Sequence, residues 1–307
     1  TITQVNGIAS AVNNFFDSNN AWTFQLFGKD YSYTVLIAAI IVTVCVALVI
    51  IGGIQRIASV SQVIVPFMAC IYVAFCVLLL IMNVTKIPAA FVLIIQSAFG
   101  MRAVAGGALG AIILAMQKGI ARGIFSNEAG LGSAPIAAAA AQTNEPVRQG
   151  LVSMTGTFID TIVICTMTGF SIVLTGAYTQ GLEGVAVTAY AFQSGLPFSA
   201  KVCEGILMLC LIFFAFTTIL GWDYYSERCL EYLTGKHELT MKVYRWLYIL
   251  AVFIGPFLTV SAVWTIADIF NALMALPNLV AILALSGVVV AETRSYFKRL
   301  GEGSIRE

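Results

Sequence analysis

The sequence predicts an all-α integral membrane protein, a bundle with about seven spanning helices. Three observations carry this. The 307 residues are 60% hydrophobic and only 10% charged, with mean hydropathy +0.94, which is outside the range of soluble domains. Long uncharged apolar runs alternate with short polar turns. Lysine and arginine collect on alternate turns. Arg56, Arg148, Arg228, Lys236, Lys242, Arg245, Arg294, Lys298, Arg299 and Arg306 fall on one side, and only Lys29, Lys86, Arg102 and Lys201 fall on the other. The richer side is read as cytoplasmic, with the C-terminus there, in a cell inner (plasma) membrane.

In chain order, residues 1–16 read as the end of a helix. Residues 17–33 hold the DSNN and FGKD turn signals and read as an external loop. Residues 34–51 form a clean span, GGIQRIAS a tight turn, and 60–82 the next span, with Pro66 near its start. Residues 88–99 are too few to cross and are placed on the outer surface. Residues 106–141 form an interrupted helix. Residues 152–177 span, interrupted by Asp160. Residues 178–201 form a long loop, with a short re-entrant or surface helix at 185–194. Residues 202–225 span, and the charged SERCLEYLTGKHELTMKVYRW is expected to be solvated. Residues 247–261 span, and 264–291 cross with a tilt, kinked at Pro277. The start at Thr1 without a basic leader, TITQVNGIASAV, gives the expectation that an earlier part of the protein precedes it.

The pattern is organised around residues 118–141, KGIARGIFSNEAGLGSAPIAAAAA. A lipid-facing helix does not hold Lys118, Arg122 and Glu128 with four glycines and a proline, because charge and open backbone are both expensive in hydrocarbon. A helix broken at mid-membrane accounts for them. Residues 106–122 are its first half, and Gly123, Ile124, Phe125, Ser126 and Asn127 are the unwound link. Residues 129–141 are its second half, capped by Ser126 or Asn127, with Glu128 at its positive end. Such breaks point to transporter binding sites. The alternative is a packing kink filled by small residues.

Three further features stand out. Thr217 and Thr218 are adjacent mid-span hydroxyls. With the Phe214 carbonyl they form an i, i+3, i+4 set that can converge on a cation, or each hydroxyl bonds back to its own helix. Asp160 and Asp268 are lone intramembrane acids, which mark either function or a structural pair with Lys118 or Arg122. Trp222 either walls a small pocket or anchors at the interface.

Other chemistries are disfavoured. The net charge is +1, which gives no basic face for nucleic acid. The seven cysteines lie mostly in apolar runs without metal spacing and read as small core residues. His237, the only histidine, lies in a polar loop, which removes most routes to a membrane enzyme. An ion channel or channel subunit remains the alternative, although a channel favours repeated polar rings and here the polar groups gather at one depth.

The stretch RGIFSNEAGLGSAPIAAAAAQTNEPVRQGLVSMTGTFIDTIVICTMTG, with GGIQRIASVSQVIVPFMA, LGWDYYSERCLEYL and WTIADIFNALMALPNLVAILALSG, resembles the alanine or glycine:cation symporter family, the sodium:alanine symporters. The resemblance covers essentially the whole chain. It implies a leucine-transporter-like fold of two inverted five-helix repeats, each opened by a broken helix. Residues 1–105 would then end the first repeat and 106–300 form the second, within one transmembrane domain. Missing N-terminal helices of the same protein would complete it. It implies sodium-coupled import of alanine or glycine by alternating access, with sodium as the co-transported ion and no enzymatic step. Residues 123–127 and Trp222 would line the substrate pocket. Phe214, Thr217 and Thr218 would bind one sodium, and Gly130, Gly132 and Pro135 would shape the hinge.

Overall fold

Among the described residues, five helices are long and apolar enough to cross a membrane: Tyr33–Ile50, Arg56–Met82, Pro146–Thr175, Ala200–Thr234 and Val260–Gly301. They fall on five of the seven predicted spans. The computed structural model describes residues 1–26, 29–99, 107–235 and 237–304. Phe27 and Gly28 of the FGKD turn, Gly106 at the head of the interrupted helix, and Arg102, Lys236 and Arg306 of the charge count lie outside the described residues.

The elements run α1 (Ile2–Phe16), β1 (Thr23–Leu26), β2 (Lys29–Ser32), α2 (Tyr33–Ile50), α3 (Gly53–Met82), α4 (Ile87–Ala98), α5 (Gly107–Asn127), α6 (Ala134–Ala138), α7 (Pro146–Phe158), a π-helical segment (Ile159–Cys165), α8 (Thr166–Thr175), α9 (Val185–Gly195), α10 (Ala200–Thr234), α11 (Glu238–Ile254) and α12 (Val260–Gly301). The chain is therefore an all-α membrane protein apart from one small hairpin.

The chain divides into two compact units. The first comprises Thr1–Ile94 and Met167–Ile266, and the second Ile95–Thr166 and Ala267–Glu307. In the first, α10 packs on α1 and α3. One apolar cluster joins Val5 and Ile8 of α1, Val46 of α2, Ile219 of α10 and Val252 of α11. A second joins Leu79 of α3, Leu174 of α8, Phe192 of α9 and Leu207 of α10. The second unit holds α5 to α7, the π segment and most of α12, whose apolar window contains no buried residue. An apolar helix this little buried is suited to lipid or to neighbouring helices, not to water.

Four sequence expectations need correction. Residues 17–33 are not a plain loop: Thr23 pairs with Ser32, Phe24 with Tyr31, Gln25 with Asp30 and Leu26 with Lys29 in an antiparallel hairpin. Its base is fixed by Asp17, whose carboxylate accepts from the Ala21 and Trp22 amides and the Ser32 hydroxyl. GGIQRIAS is not a tight turn throughout, because the turn is confined to Ile51 and Gly52 and α3 starts at Gly53. The charged stretch after residue 225 is not wholly solvated. α10 continues to Thr234, Glu227 is buried, and the Arg245 guanidinium on α11 holds it in an ion pair. Pairing makes such burial tolerable. The cysteines are all free, but only Cys76, Cys203 and Cys210 are buried; Cys45, Cys70 and Cys165 lie on exposed positions of apolar runs, and Cys229 in the charged stretch of α10.

Candidate functional site

Residues 118–141 do break, but five residues later than the sequence suggests. Gly123, Ile124, Phe125, Ser126 and Asn127 are helical and form the last turns of α5. The chain leaves the helix at Glu128, with φ +52, and turns through Gly130, φ +73, and Gly132, φ +78. The closure is a Schellman-type cap, in which the Ala129 amide donates to the Ile124 carbonyl at 3.2 Å. The physical reason for the shift is that nothing in 123–127 needs a non-helical backbone, whereas the glycines best suited to left-handed geometry come after them. A non-glycine in that geometry costs about 1–2 kcal/mol. At Glu128 this is offset in part by its Oε2, which accepts from the Ser133 hydroxyl at 2.8 Å.

The capping expectation changes accordingly. Neither Ser126 nor Asn127 caps the second half. That half is only the five residues of α6, preceded by Ser133, instead of the predicted 129–141. Gly132 is closely packed. A Cβ there would lie 3.0 Å from Asn278 Oδ1 and 3.2 Å from its Cγ, on α12. Gly130 is looser, with Leu279 Cδ2 at 3.7 Å. Pro135 sits in the first turn of α6, where a missing N–H is harmless.

The last turn of α5 is clamped to the π segment. The Ser126 hydroxyl donates to the Asp160 carboxylate. The Asn127 side-chain nitrogen lies 2.7 Å from the Thr161 hydroxyl oxygen and 3.1 Å from the Gly123 carbonyl, and Thr161 in turn donates to Asn127 Oδ1 at 3.0 Å. Two consecutive residues of one helix thus meet two consecutive residues of another. The π geometry over Ile159–Cys165 places an extra residue in the turn, a local distortion frequent at functional sites.

Charge at this depth is sorted. Arg122 forms an ion pair with Asp268 of α12 and lies 5.7 Å from the Phe125 ring centre. The predicted structural pair is therefore correct for Asp268. Asp160 pairs instead with a hydroxyl. Near the far end of α12, Arg299 grips Glu145 bidentately at 2.7 and 2.9 Å. The Arg299 bonds hold the Glu145 carboxyl below its ordinary value.

The hydroxyl pair lies on α10, in the first unit. The Thr217 hydroxyl is 3.0 Å from the Phe214 carbonyl oxygen and 3.2 Å from that of Phe213, and the Thr218 hydroxyl is 2.9 Å from the Phe214 carbonyl. Each hydroxyl thus bonds back to its own helix, and both meet the Phe214 carbonyl. Trp222, one turn on, packs edge-on against Tyr225 with ring centres 5.6 Å apart. Among the described residues no grouping of His, Cys, Asp and Glu could hold a metal ion. The Asp160–Ser126 and Thr161–Asn127 contacts were not legible in the sequence. Asp160 is conspicuous as a mid-span acid, but no periodicity names its partner.

The family model described as the sodium:alanine symporter family matches residues 1–307. The chain belongs to the sodium:alanine symporter family. Its relatives include an uncharacterized transporter of Haemophilus influenzae, 54% identical over 93% of this chain and 62% of the relative. The sodium/alanine symporter AgcS of Methanococcus maripaludis is 43% identical over 95% of this chain and 60% of its own length. The probable sodium/glutamine symporter GlnT of Bacillus subtilis is 37% identical over 94% and 59%. The chain thus spans about 60% of the length of these curated members of the family.

Proposed function

We propose that this chain serves a sodium-coupled symporter that imports small amino acids, alanine and glycine, by alternating access across a cell inner membrane. The observation that carries this reading is family membership along all 307 residues, with 43% identity to a sodium/alanine symporter. The relative named sodium/proton-dependent alanine carrier protein, from Bacillus sp., is 31% identical and points to the same cargo. The fold is leucine-transporter-like. Residues 1–105 end one inverted repeat and 106–300 form the other, with seven spans counted to include the α5–α6 break and α11, and the C-terminus cytoplasmic.

Gly123, Ile124, Phe125, Ser126 and Asn127 line the amino-acid pocket. Support comes from the end of α5, where the negative pole of the helix and its last carbonyls meet mid-membrane polar side chains. The face at Gly123 is open, with no heavy atom within 4 Å of a Cβ built there. Thr217 and Thr218 contribute hydroxyl oxygens to a sodium ion. Each hydroxyl can keep donating to the helix while its lone pairs face the ion. The Phe214 carbonyl joins them once one hydroxyl turns away. Ion and substrate couple because both stabilise the same conformation.

The test is uptake of labelled alanine into proteoliposomes holding the protein at its full natural length, with and without an inward sodium gradient. Gradient-dependent accumulation is expected. Ion current that flows without alanine and without accumulation would mean a channel instead.

A further inference from the structure

We propose that Asp160 is the counter-charge for the ammonium group of the transported amino acid, with the Ser126 hydroxyl beside it as a second acceptor. This rests on the reading that the end of α5 forms the substrate site.

Asp160 lies in mid-span of the 30-residue helix Pro146–Thr175. An acid at that depth is expensive unless something positive meets it. The second unit shows the contrast internally: Asp268 has Arg122, and Glu145 has Arg299. Among the described residues Asp160 has no cationic partner; it meets the Ser126 hydroxyl, with the Cys165 thiol beside both. A carboxylate left without a cation beside the negative end of a helix is unfavourable on two counts, local charge and dipole. A cation arriving with the cargo relieves both.

The donor count favours an ammonium over a metal ion. An ammonium carries three N–H donors. The Asp160 carboxylate, the Ser126 oxygen and the carbonyls at the end of α5 supply that number of acceptors. A hard metal cation prefers a fuller oxygen shell. The other two polar side chains here, Asn127 and Thr161, are already spent on each other. That second contact has its own use, because it fixes the α5 end against the π segment and so holds Ser126 opposite Asp160. Thr161 and Asn127 are positioning residues in this scheme.

The test compares wild type with Asp160→Asn and Asp160→Glu in the full-length protein. Three quantities are read: labelled-alanine binding at saturating sodium, sodium binding without alanine, and competition by propionate, which lacks the ammonium. A hydrogen bond to a charged group contributes about 1.5–3 kcal/mol. Asp160→Asn should therefore weaken alanine by about tenfold or more and leave alanine-free sodium affinity within about twofold. It should also narrow the gap between alanine and propionate, and Asp160→Glu should restore part of the loss. Thermal melting in detergent checks that each variant is folded. Should Asp160→Asn misfold, Ser126→Ala, which removes the second acceptor, is expected to weaken alanine alone. Unchanged alanine affinity in folded variants overturns the assignment, and so does a primary loss of sodium binding, which would make Asp160 an ion ligand. Wild-type protein that neither binds nor accumulates alanine would instead sink the transport reading, and this inference with it.

Discussion

Phe125 shows how a single residue separates a pocket role from a structural one. Its ring lies under the Arg122 guanidinium, and it sits in the α5 turn that carries Ser126 and Asn127. If the ring only props the Arg122–Asp268 pair, Phe125→Ala should reduce uptake of every substrate alike. As a pocket wall, its removal should weaken alanine by about tenfold, within the roughly 1–3 kcal/mol that pocket contacts supply, while larger side chains gain relative to alanine. Competition by a size series of amino acids separates these outcomes. Glu145 provides a second test at this scale. Its carboxyl is held below its ordinary value of 4.5 by the Arg299 bonds. A depressed acid stabilises the fold above its unfolded value, and that contribution fades as pH falls through the folded one. Glu145→Gln should therefore melt earlier than wild type at neutral pH, with the difference closing below about pH 4.5. A melting difference independent of pH would assign the loss to packing. Asp160 shows the limit of reading residues alone. Its chemical oddity is plain in the sequence, but its partner is not, because Ser126 lies 34 residues away with no spacing rule to connect them.

At the scale of elements, the five long apolar helices follow directly from composition and length, since bilayer thickness fixes how many apolar residues a span needs. The break in 118–141 was also legible in kind, from charge and glycine in an apolar context. Its position was not. A helix former and a helix breaker compete locally, and here φ > 0 fell on Glu128, Gly130 and Gly132 while SN stayed helical through contacts with the π segment. The hairpin at residues 23–32 was hidden because its strands are only four residues each. The hinge makes an ordered prediction. Gly132→Ala meets both the left-handed backbone and the Asn278 side chain, whereas Gly130→Ala meets the backbone and only ordinary contact. Gly132→Ala should lower stability by more than the roughly 1–2 kcal/mol expected for backbone strain alone, and Gly130→Ala by about that amount. Gly130→Leu should insert normally yet transport less. Melting curves in one detergent give the order, and Gly130→Ala proving the worse of the two would disprove this account of the turn.

Coupling belongs to the whole molecule, because no single contact makes one gradient drive another flux. It requires that sodium and amino acid favour the same conformation, each strengthening the other by the same factor. The hydroxyls on α10 and the end of α5 lie in different compact units, so removing the ion ligands is a test of the linkage and not only of a site. Thr217→Val with Thr218→Val keeps nearly the same shape and deletes both hydroxyls. If those hydroxyls only bond back to Phe213 and Phe214, the loss is confined to local helix bonds, and transport should retain its normal sodium dependence. If they hold sodium, the double variant should fold normally and still bind alanine weakly, at a level that sodium no longer raises. Its uptake should fall to the sodium-independent level, because losing two ligands at about 1.5–3 kcal/mol each weakens sodium by about a hundredfold or more. By reciprocity, saturating alanine should also stop raising its sodium affinity. Alanine affinity is measured across a sodium series, and sodium affinity across an alanine series. A double variant with wild-type curves in both would return Thr217 and Thr218 to the role of hydroxyls satisfied by their own helix.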